Sequence, residues 1–480
     1  MLNPDSAPFQ PQSTRRRFFG ECGLGLASIA ATSLSAESAK GNTNLEDLAH
    51  PLVPRPSHHP VGAKNVIFLF MMGGPSHLDL FDHKRNLDRF DGDPIPESYI
   101  RGERFEQIRD QQPTLMRSRW KFGRYGETGS VVSELLPYTQ KIVDDLAFVR
   151  TVRSEETVHP HAQLLLFTGY RNPGRPSLGS WVTYGLGSES KDLPGFIAFG
   201  RGAVPQAHDG LFANGFLPST YHGTQVRTSG APILNLQDPR GTTRKDTRQV
   251  LDAINKINAE RLRTTGDPEI ASRISAYELA YRLQRSAPDL IDLKGESQAT
   301  LDLYGADPDK PSFELDCLLA RRMVERGVRF VQLHYGDWDH HADIHADLPR
   351  KCRAVDQGSA ALIQDLKARG MLDDTLVIWG GEFGRTPVAQ PQKSGKVGRD
   401  HHVHAFTVWL AGGGVKPGAD IGVTDDLGFH PVENSIHIHD LQATILHLLG
   451  LNHTQLTYRF QGRDFRLTDV AGKVVEEILL

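Results

Sequence analysis

The stretch that decides the fold is KNVIFLFMMGGPSHLD, residues 64–79. Its apolar run, residues 64–70, has the length and composition of a buried strand, and a glycine-rich turn ends it. The turn leads to Ser76, His77 and Asp79, whose side chains suit metal or substrate binding. Parallel α/β sheets build their sites at the carboxyl ends of strands. The stretch therefore predicts one strand of such a sheet with a functional site at its end.

Three more segments combine a strand-like apolar run with a cluster of acids, histidines or arginines: 328–341, 375–386 and 399–410. In the first two the cluster follows the run, and in the third it precedes the run. Strand-like and helix-like runs alternate from residue 64 to about residue 467, which predicts a doubly wound, mostly parallel α/β sheet with helices on both faces. We expect these distant segments to converge on one pocket with metal-dependent chemistry.

The segment WDHH, residues 338–341, places a carboxylate and imidazoles within one turn. Such mixed donors suit Zn²⁺, Mn²⁺ or Fe, whereas Ca²⁺ and Mg²⁺ prefer oxygen alone. We expect His340 to point away from the metal. The alternative interpretation is a solvated polar loop. The predicted cofactor is a divalent metal, with zinc or manganese favoured, and the predicted ligands are Asp79, Asp339, His341, Asp400, His401 and His402.

The remaining polar residues are candidates for catalysis. Glu382 lies between glycines and is predicted to be a ligand or a general base, unless it only pairs with Arg385. Thr157 precedes a helix, where the amino terminus favours an anion, and a metal that lowers its pKa would make it a nucleophile. A plain turn into the helix is the alternative. The predicted catalytic residues are Thr157, His159, Glu382, Arg385 and Arg399, and the predicted substrate contacts are Ser76 and His77.

The N-terminal segment and the net charge bear on the location and the partners of the protein. Residues 13–19, STRRRFF, form a twin-arginine pattern, and a weakly apolar run too short to span a membrane follows. We therefore predict a twin-arginine signal peptide over residues 1–39, export to the periplasm or beyond, and no integral membrane segment in the mature chain. The alternative is a disordered basic tail. A net charge of −4 gives no reason to expect nucleic acid as a partner.

Domain boundaries follow from changes in composition. Residues 40–62 are predicted to form a linker and residues 63–470 an α/β domain, with a C-terminal tail at 471–480. Helical periodicity predicts a helical insertion at 244–300. The segment 205–240 is rich in Gly, Pro and Asn and is predicted to be a lid or pocket wall.

The order of these motifs resembles the alkaline phosphatase and sulfatase superfamily. More closely, the chain resembles an exported bacterial family, domain of unknown function 1501 (DUF1501), from about residue 64 to residue 470. The motifs that carry this resemblance are GPSHLDLFD (74–82), WDHH (338–341), GEFGRTP (381–387), GRDHH (398–402) and AGGGV (411–415). The resemblance implies an alkaline phosphatase/sulfatase-like fold.

Departures from the sulfatase pattern qualify the activity that the resemblance implies. Counting back from Thr168, His159 stands where sulfatases carry the Cys or Ser that becomes formylglycine, and Gln163 replaces the arginine that follows it. Glu382 and Phe383 replace the superfamily's Asp-His pair. The resemblance thus implies an exported, metal-dependent hydrolase of sulfate or phosphate esters, on small molecules or glycans, that works without formylglycine. The alternative is a non-catalytic relative that binds sulfated or acidic glycans.

Overall fold

The apolar run at residues 65–71 lies at the centre of the molecule, with every residue buried. The computed structural model describes residues 51–103, 105–108, 112–201, 206–227 and 242–480. The predicted signal peptide, residues 40–50 of the predicted linker and residues 228–240 of the predicted lid lie outside the described residues. Within the described ranges, no helix has the length and apolar character that a bilayer crossing needs.

The strands, in chain order, are β1 (Asn65–Met71), β2 (Phe122–Tyr125), β3 (Ser130–Ser133), β4 (Ala147–Arg153), β5 (Phe196–Arg201), β6 (Thr224–Gln225), β7 (Phe330–Tyr335), β8 (Thr375–Gly380), β9 (Gly384–Arg385), β10 (Gln390–Pro391), β11 (Val397–Gly398), β12 (His401–His402), β13 (Phe406–Ala411), β14 (Asp420–Ile421), β15 (Val423–Thr424), β16 (Pro431–Glu433), β17 (Ile436–His437), β18 (Tyr458–Phe460) and β19 (Arg463–Phe465).

The α-helices are α1 (His77–Leu80), α2 (Arg85–Arg89), α3 (Glu97–Ile100), α4 (His159–Thr168), α5 (Leu178–Leu186), α6 (Arg244–Thr265), α7 (Pro268–Ile291), α8 (Gln298–Tyr304), α9 (Phe313–Glu325), α10 (Ile344–Ala368) and α11 (Ile438–Leu448). Short 3₁₀ turns lie at Thr139–Lys141, Val143–Asp145, His208–Leu211, Ser219–Tyr221, Leu372–Asp374 and Glu476–Ile478.

The main sheet of the described residues has the order β14-β4-β13-β8-β1-β7-β5-β6, and β17 also pairs with β4. Every pairing is parallel except those of β13, which runs antiparallel to both β4 and β8. The reversal of β13 matters for the site. Its amino end meets the carboxyl ends of β1, β4, β7 and β8, so the histidine-rich segment before β13 reaches the same edge as the motifs that follow those strands.

Alternate residues of β1 enter two separate hydrophobic cores. Ile67, Leu69 and Met71 pack with residues of α9 and α10, whereas Val66 and Phe68 pack with residues of α4, α5 and α11. Because successive side chains of a strand point to opposite faces, helices cover both faces of the sheet. The prediction of a doubly wound, mostly parallel α/β sheet is confirmed.

Several elements differ in extent from the sequence prediction. The last long helix before β8 begins at Ile344 and contains Pro349. The segment predicted as a helical insertion holds α6, α7 and the start of α8. Helix α6 has no buried residue and is joined to α7 by Arg248, whose guanidinium pairs with Glu278. Residues 471–480 pack against the domain through Ile478, which is fully buried.

Candidate metal centre

Helix α4 contributes the first member of the site. His159 is the first residue of this helix, just beyond the carboxyl end of β4, and is buried. Its Nδ1 lies 2.7 Å from Oε1 of Glu382, which follows β8. The Glu382 carboxylate is fixed in turn by the backbone N–H of Gly73, 3.1 Å from both oxygens, and by the Gln163 amide at 3.2 Å. Glu382 therefore orients the His159 ring so that Nε2 faces the strand edge.

Gly73 makes this arrangement possible through its backbone. Its φ of +115° lies in the left-handed region, which favours glycine. A Cβ at this position would lie 2.6 Å from the backbone nitrogen of Asp339. The glycine pair after β1 thus lets three strand-end loops approach closely.

The loop after β7 contributes a carboxylate and a second imidazole. Asp339 Oδ2 lies 3.2 Å from His159 Nε2, and Asp339 Oδ1 lies 2.9 Å from His341 Nε2. The His341 Nδ1 donates to Oε1 of Gln390, at 2.7 Å. The side chain of Asp339 is 38% exposed, so the cluster opens to solvent at this carboxylate.

The segment before β13 contributes the third imidazole. His401 belongs to β12, which pairs antiparallel with β9, so that His401 stands opposite Arg385. Its Nδ1 donates to the backbone carbonyl of Thr157, at 2.6 Å. Its Nε2 is 2.8 Å from His341 Nε2 and 3.2 Å from Asp339 Oδ1.

The hydrogen bonds on the far side of each ring fix its tautomer. The Nδ1 atoms of His159, His341 and His401 all face oxygen acceptors, so each ring in its neutral form carries its proton there and has a lone pair on Nε2. Two such lone pairs lie 2.8 Å apart at His341 and His401. A shared cation would resolve that contact, and outer-shell acceptors of this kind are typical of metal-bound histidines.

The donor set fits a transition-metal ion. One ligand atom from each of His159, Asp339, His341 and His401 lies within 4.8 Å of the others. Bonds of roughly 2.0–2.1 Å place the ligands of a tetrahedral ion roughly 3.3 Å apart, and the measured separations are close to that value. These four side chains can hold a metal ion.

The charges of the cluster favour an ionised carboxylate. Burial opposes ionisation of Asp339, but its contacts with the three histidines and the charge of Arg385 hold its pKa far below the usual range. Burial also lowers the pKa of His159, but the Asp339 and Glu382 carboxylates outweigh it and raise that pKa to about 9. Burial, with the positive charge of Arg385, lowers the pKa of His401 to about 4. Negative charge from two carboxylates thus dominates at His159.

The two arginines predicted to be catalytic, Arg385 and Arg399, are engaged by other parts of the protein. Arg385 is fully buried and donates to the carbonyls of Gly73, Gly74 and Arg399 and, at 2.6 Å, to Asp339. Its guanidinium faces the back of the cluster.

Arg399 is also fully buried. It pairs with Asp79 through Nε at 2.8 Å and Nη2 at 3.3 Å, and its Nη1 donates to the carbonyl of Thr386. Asp79 also accepts the hydroxyl of Ser76, at 2.6 Å. The structure therefore places the predicted ligand Asp79 in an internal ion pair and not in the histidine cluster, and the predicted substrate contact Ser76 is buried against Asp79.

Asp400 and His402, the two other predicted ligands outside the cluster, form hydrogen bonds with backbone groups. The Asp400 carboxylate accepts the N–H groups of Gln107, Ile108 and His401. His402 Nε2 lies 2.6 Å from the carbonyl of Phe429. These contacts hold loops together at the strand edge, and they leave Asp400 and His402 outside the group of four.

Two further histidines are buried beside the site. His77, a predicted substrate contact, stacks on His402 with centroids 6.0 Å apart and faces the carbonyl of Gly428. His340, expected to point away from the metal, is outside the group of four, and burial together with the charges of Arg385 and Lys351 lowers its pKa to about 3. Among the described residues, neither ring nitrogen of His340 has a hydrogen-bond partner.

Thr157 meets the cluster with its backbone. Its carbonyl accepts from His401, whereas its hydroxyl donates to Glu106, at 3.0 Å. Sequence reasoning assigned His159 to proton transfer and did not include it among the ligands, although its position at a helix start after a strand was a usable signal. Gln390 carried no signal, because a glutamine in a polar loop is ordinary.

A sequence profile of the family described as "Protein of unknown function (DUF1501)" matches residues 63–479. No curated protein matches the sequence. The solved structures that resemble this one include the lipoteichoic acid synthase LtaP from Listeria monocytogenes, at 12% identity and a TM-score of 0.37, covering 88% of this chain and 79% of that one.

Two further solved structures show the same level of likeness. The sulfatase PsFucS1 from Pseudoalteromonas sp. has 13% identity and a TM-score of 0.34, covering 85% of this chain and 72% of that one. The alkaline phosphatase from the Antarctic bacterium TAB5 has 12% identity and a TM-score of 0.30, covering 82% and 99%. At these TM-scores the likenesses carry no conclusion about activity.

Proposed function

The chain belongs to the DUF1501 family of proteins of unknown function, so we infer its activity from its own residues. We propose that it is a metal-dependent hydrolase of sulfate or phosphate esters. The observation that carries this proposal is the convergence of three imidazole Nε2 atoms and one carboxylate at a solvent-open strand edge. The choice of ester follows from the order of the strand-end motifs, which resembles the alkaline phosphatase and sulfatase superfamily. The three imidazoles favour zinc as the ion, and the carboxylate also suits manganese.

The residues of the site have separate roles in this proposal. A bound divalent ion would polarise an ester oxygen and lower the pKa of a water. His159, Asp339, His341 and His401 would hold that ion. Glu382 keeps the proton of His159 on Nδ1 and so leaves the Nε2 lone pair of that ring for the ion. The hydroxyl of Thr157 is engaged by Glu106, which favours water over Thr157 as the nucleophile.

The experiment is an assay of purified protein with an aryl sulfate and an aryl phosphate, before and after chelation. Chelation should abolish hydrolysis, and Zn²⁺ or Mn²⁺ should restore it. Asp339→Asn should lose metal and activity together. Asp347→Asn is the matched control, because that carboxylate is also 38% exposed but pairs with Arg350 at the surface. Activity should also survive in a host that lacks the formylglycine-generating enzyme.

A non-catalytic protein that binds sulfated or acidic glycans is the second candidate. The engagement of Arg385 and Arg399 in internal contacts favours it, because neither guanidinium is free to stabilise charge on a reacting group. Stoichiometric metal without hydrolysis of either ester class would select this candidate. Absence of stoichiometric metal would reject the hydrolase.

Export by the twin-arginine route remains part of the proposal. It rests on Arg15 and Arg16, followed by Phe18 and a weakly apolar run. Replacing both arginines with lysine should retain the precursor in the cytoplasm, and unchanged export of that double variant would reject this assignment.

A further inference from the structure

We propose a second metal site, formed by Glu103, His404 and His430 and separate from the cluster around Asp339. Ligand atoms of the three residues lie within 4.8 Å of one another. His404 Nε2 is 2.7 Å from Glu103 Oε2, and the His404 and His430 rings have centroids 4.9 Å apart. Two histidines and a glutamate are a set that zinc uses in sites with one open position. All three side chains are half-buried, so a hydrated ion reaches them.

The histidines of this second site are held in place before any ion binds. The carboxylate of Asp425 accepts the backbone N–H groups of Leu427, Phe429 and His430, which fixes the turn that carries His430. The Phe429 ring packs against His430, with centroids 4.7 Å apart, and stacks on His404 at 5.9 Å. Rings held by packing and backbone bonds lose little freedom on binding a metal.

The aromatic ring of Tyr99 closes the other side. It stacks on His430 with an interplanar angle of 14° and a centroid separation of 6.3 Å. Tyr99 lies in α3, directly before Glu103, so the same segment supplies both a ligand and a wall. A plain Glu103–His404 hydrogen bond is the simpler reading, but it gives no role to the second imidazole.

The second site would link two segments that meet at the histidine cluster. His404 follows His401 by three residues in the same segment. Further along the chain from Glu103, the Gln107 backbone donates to Asp400 and its side chain lies 3.0 Å from His341 Nε2. An ion at Glu103, His404 and His430 would therefore fasten the segment that carries Gln107 to the strand edge that carries His401. Its role would be to hold these two segments in place.

The test is a titration of the metal-free full chain with Zn²⁺, read by equilibrium dialysis and metal analysis. The wild-type protein should bind two ions per chain, and His404→Ala/His430→Ala should bind one. Glu103→Gln keeps the size of the side chain and should lower the affinity for one of the two Zn²⁺ ions by at least about tenfold. His83→Ala is the control, because His83 and Asp88 form a similar pair at 2.9 Å that belongs to no three-ligand group of the described residues. It should retain two ions.

Proteolysis gives a second readout that does not depend on counting ions. Zn²⁺ should slow trypsin cleavage after Arg101 in the wild-type protein but not in Glu103→Gln. Equal stoichiometry in the wild-type protein and the folded double variant would overturn the second site. If the first cluster holds no ion, the wild-type protein binds one and the double variant none, which rejects the first site and supports the second.

Discussion

The histidine cluster and the neighbouring arginine region consist of residues from the same strand-end motifs, but they differ in what remains free. In the cluster, each Nδ1 is engaged and each Nε2 is left to face Asp339. In the arginine region, Arg399 and Asp79 form a buried ion pair, and Arg385 donates to backbone carbonyls. A polar residue of these motifs can therefore bind a ligand only if one of its side-chain atoms is left without a partner in the protein.

The largest expected effect is on stability, in the arginine region. Arg399→Met leaves the Asp79 carboxylate buried without its partner, so the free energy of unfolding should fall by about 3–5 kcal/mol. Urea unfolding followed by circular dichroism measures this change. The metal content of the folded protein should stay the same, since Arg399 contacts no member of the cluster directly.

The double variant Asp79→Leu/Arg399→Met sharpens that comparison. Replacing both charges with apolar side chains should recover most of the lost stability, because no unpaired charge remains. A double variant as unstable as the single one would show that the region contributes by shape and not by charge pairing.

The next effect is on metal affinity, in the histidine cluster. His341→Ala removes one of four ligands, so the dissociation constant for Zn²⁺ at the cluster should rise at least about 100-fold, or about 2.8 kcal/mol. Competition with a chromophoric chelator measures it. Stability of the metal-free protein should change far less than in Arg399→Met. The reverse pattern would contradict the division between the two regions.

A smaller effect is expected where a neighbour only orients a ligand. Gln390→Ala removes the acceptor that fixes the His341 ring, so the Zn²⁺ affinity should fall by about 10–100-fold. Gln392→Ala is the matched control, because Gln392 donates to the His341 backbone carbonyl and not to its ring. The control should stay within about twofold of the wild-type protein; equal losses in both variants would mean that the hairpin acts as a whole.

The smallest effect is expected at Thr157. Thr157→Val keeps the carbonyl that accepts from His401 and removes only the hydroxyl that donates to Glu106. Metal affinity should stay within about twofold, and hydrolysis should persist if water is the nucleophile. Loss of activity with metal still bound would restore Thr157 as the nucleophile.

The fold could be predicted from the sequence, and so could three of the four members of the histidine cluster as ligands. Apolar runs at residues 64–70 and 375–379 marked the buried strands well, because their period and length are local properties. Asp339 and His341 could be predicted as neighbours, because they lie in one turn. That His401 joins them, whereas Asp400 and His402 do not, depends on the pairing of β12 with β9, which sequence patterns leave undetermined. The burial of Arg399 against Asp79 joins residues 320 positions apart, and no local pattern records such a pair.

The most direct test of the central claim is anomalous diffraction from crystals of the protein grown with Zn²⁺. We expect a peak at the zinc edge roughly 2.0–2.2 Å from the Nε2 atoms of His159, His341 and His401 and from an Asp339 oxygen. A map without a peak there, with the imidazoles hydrogen-bonded to one another or to water, would contradict it.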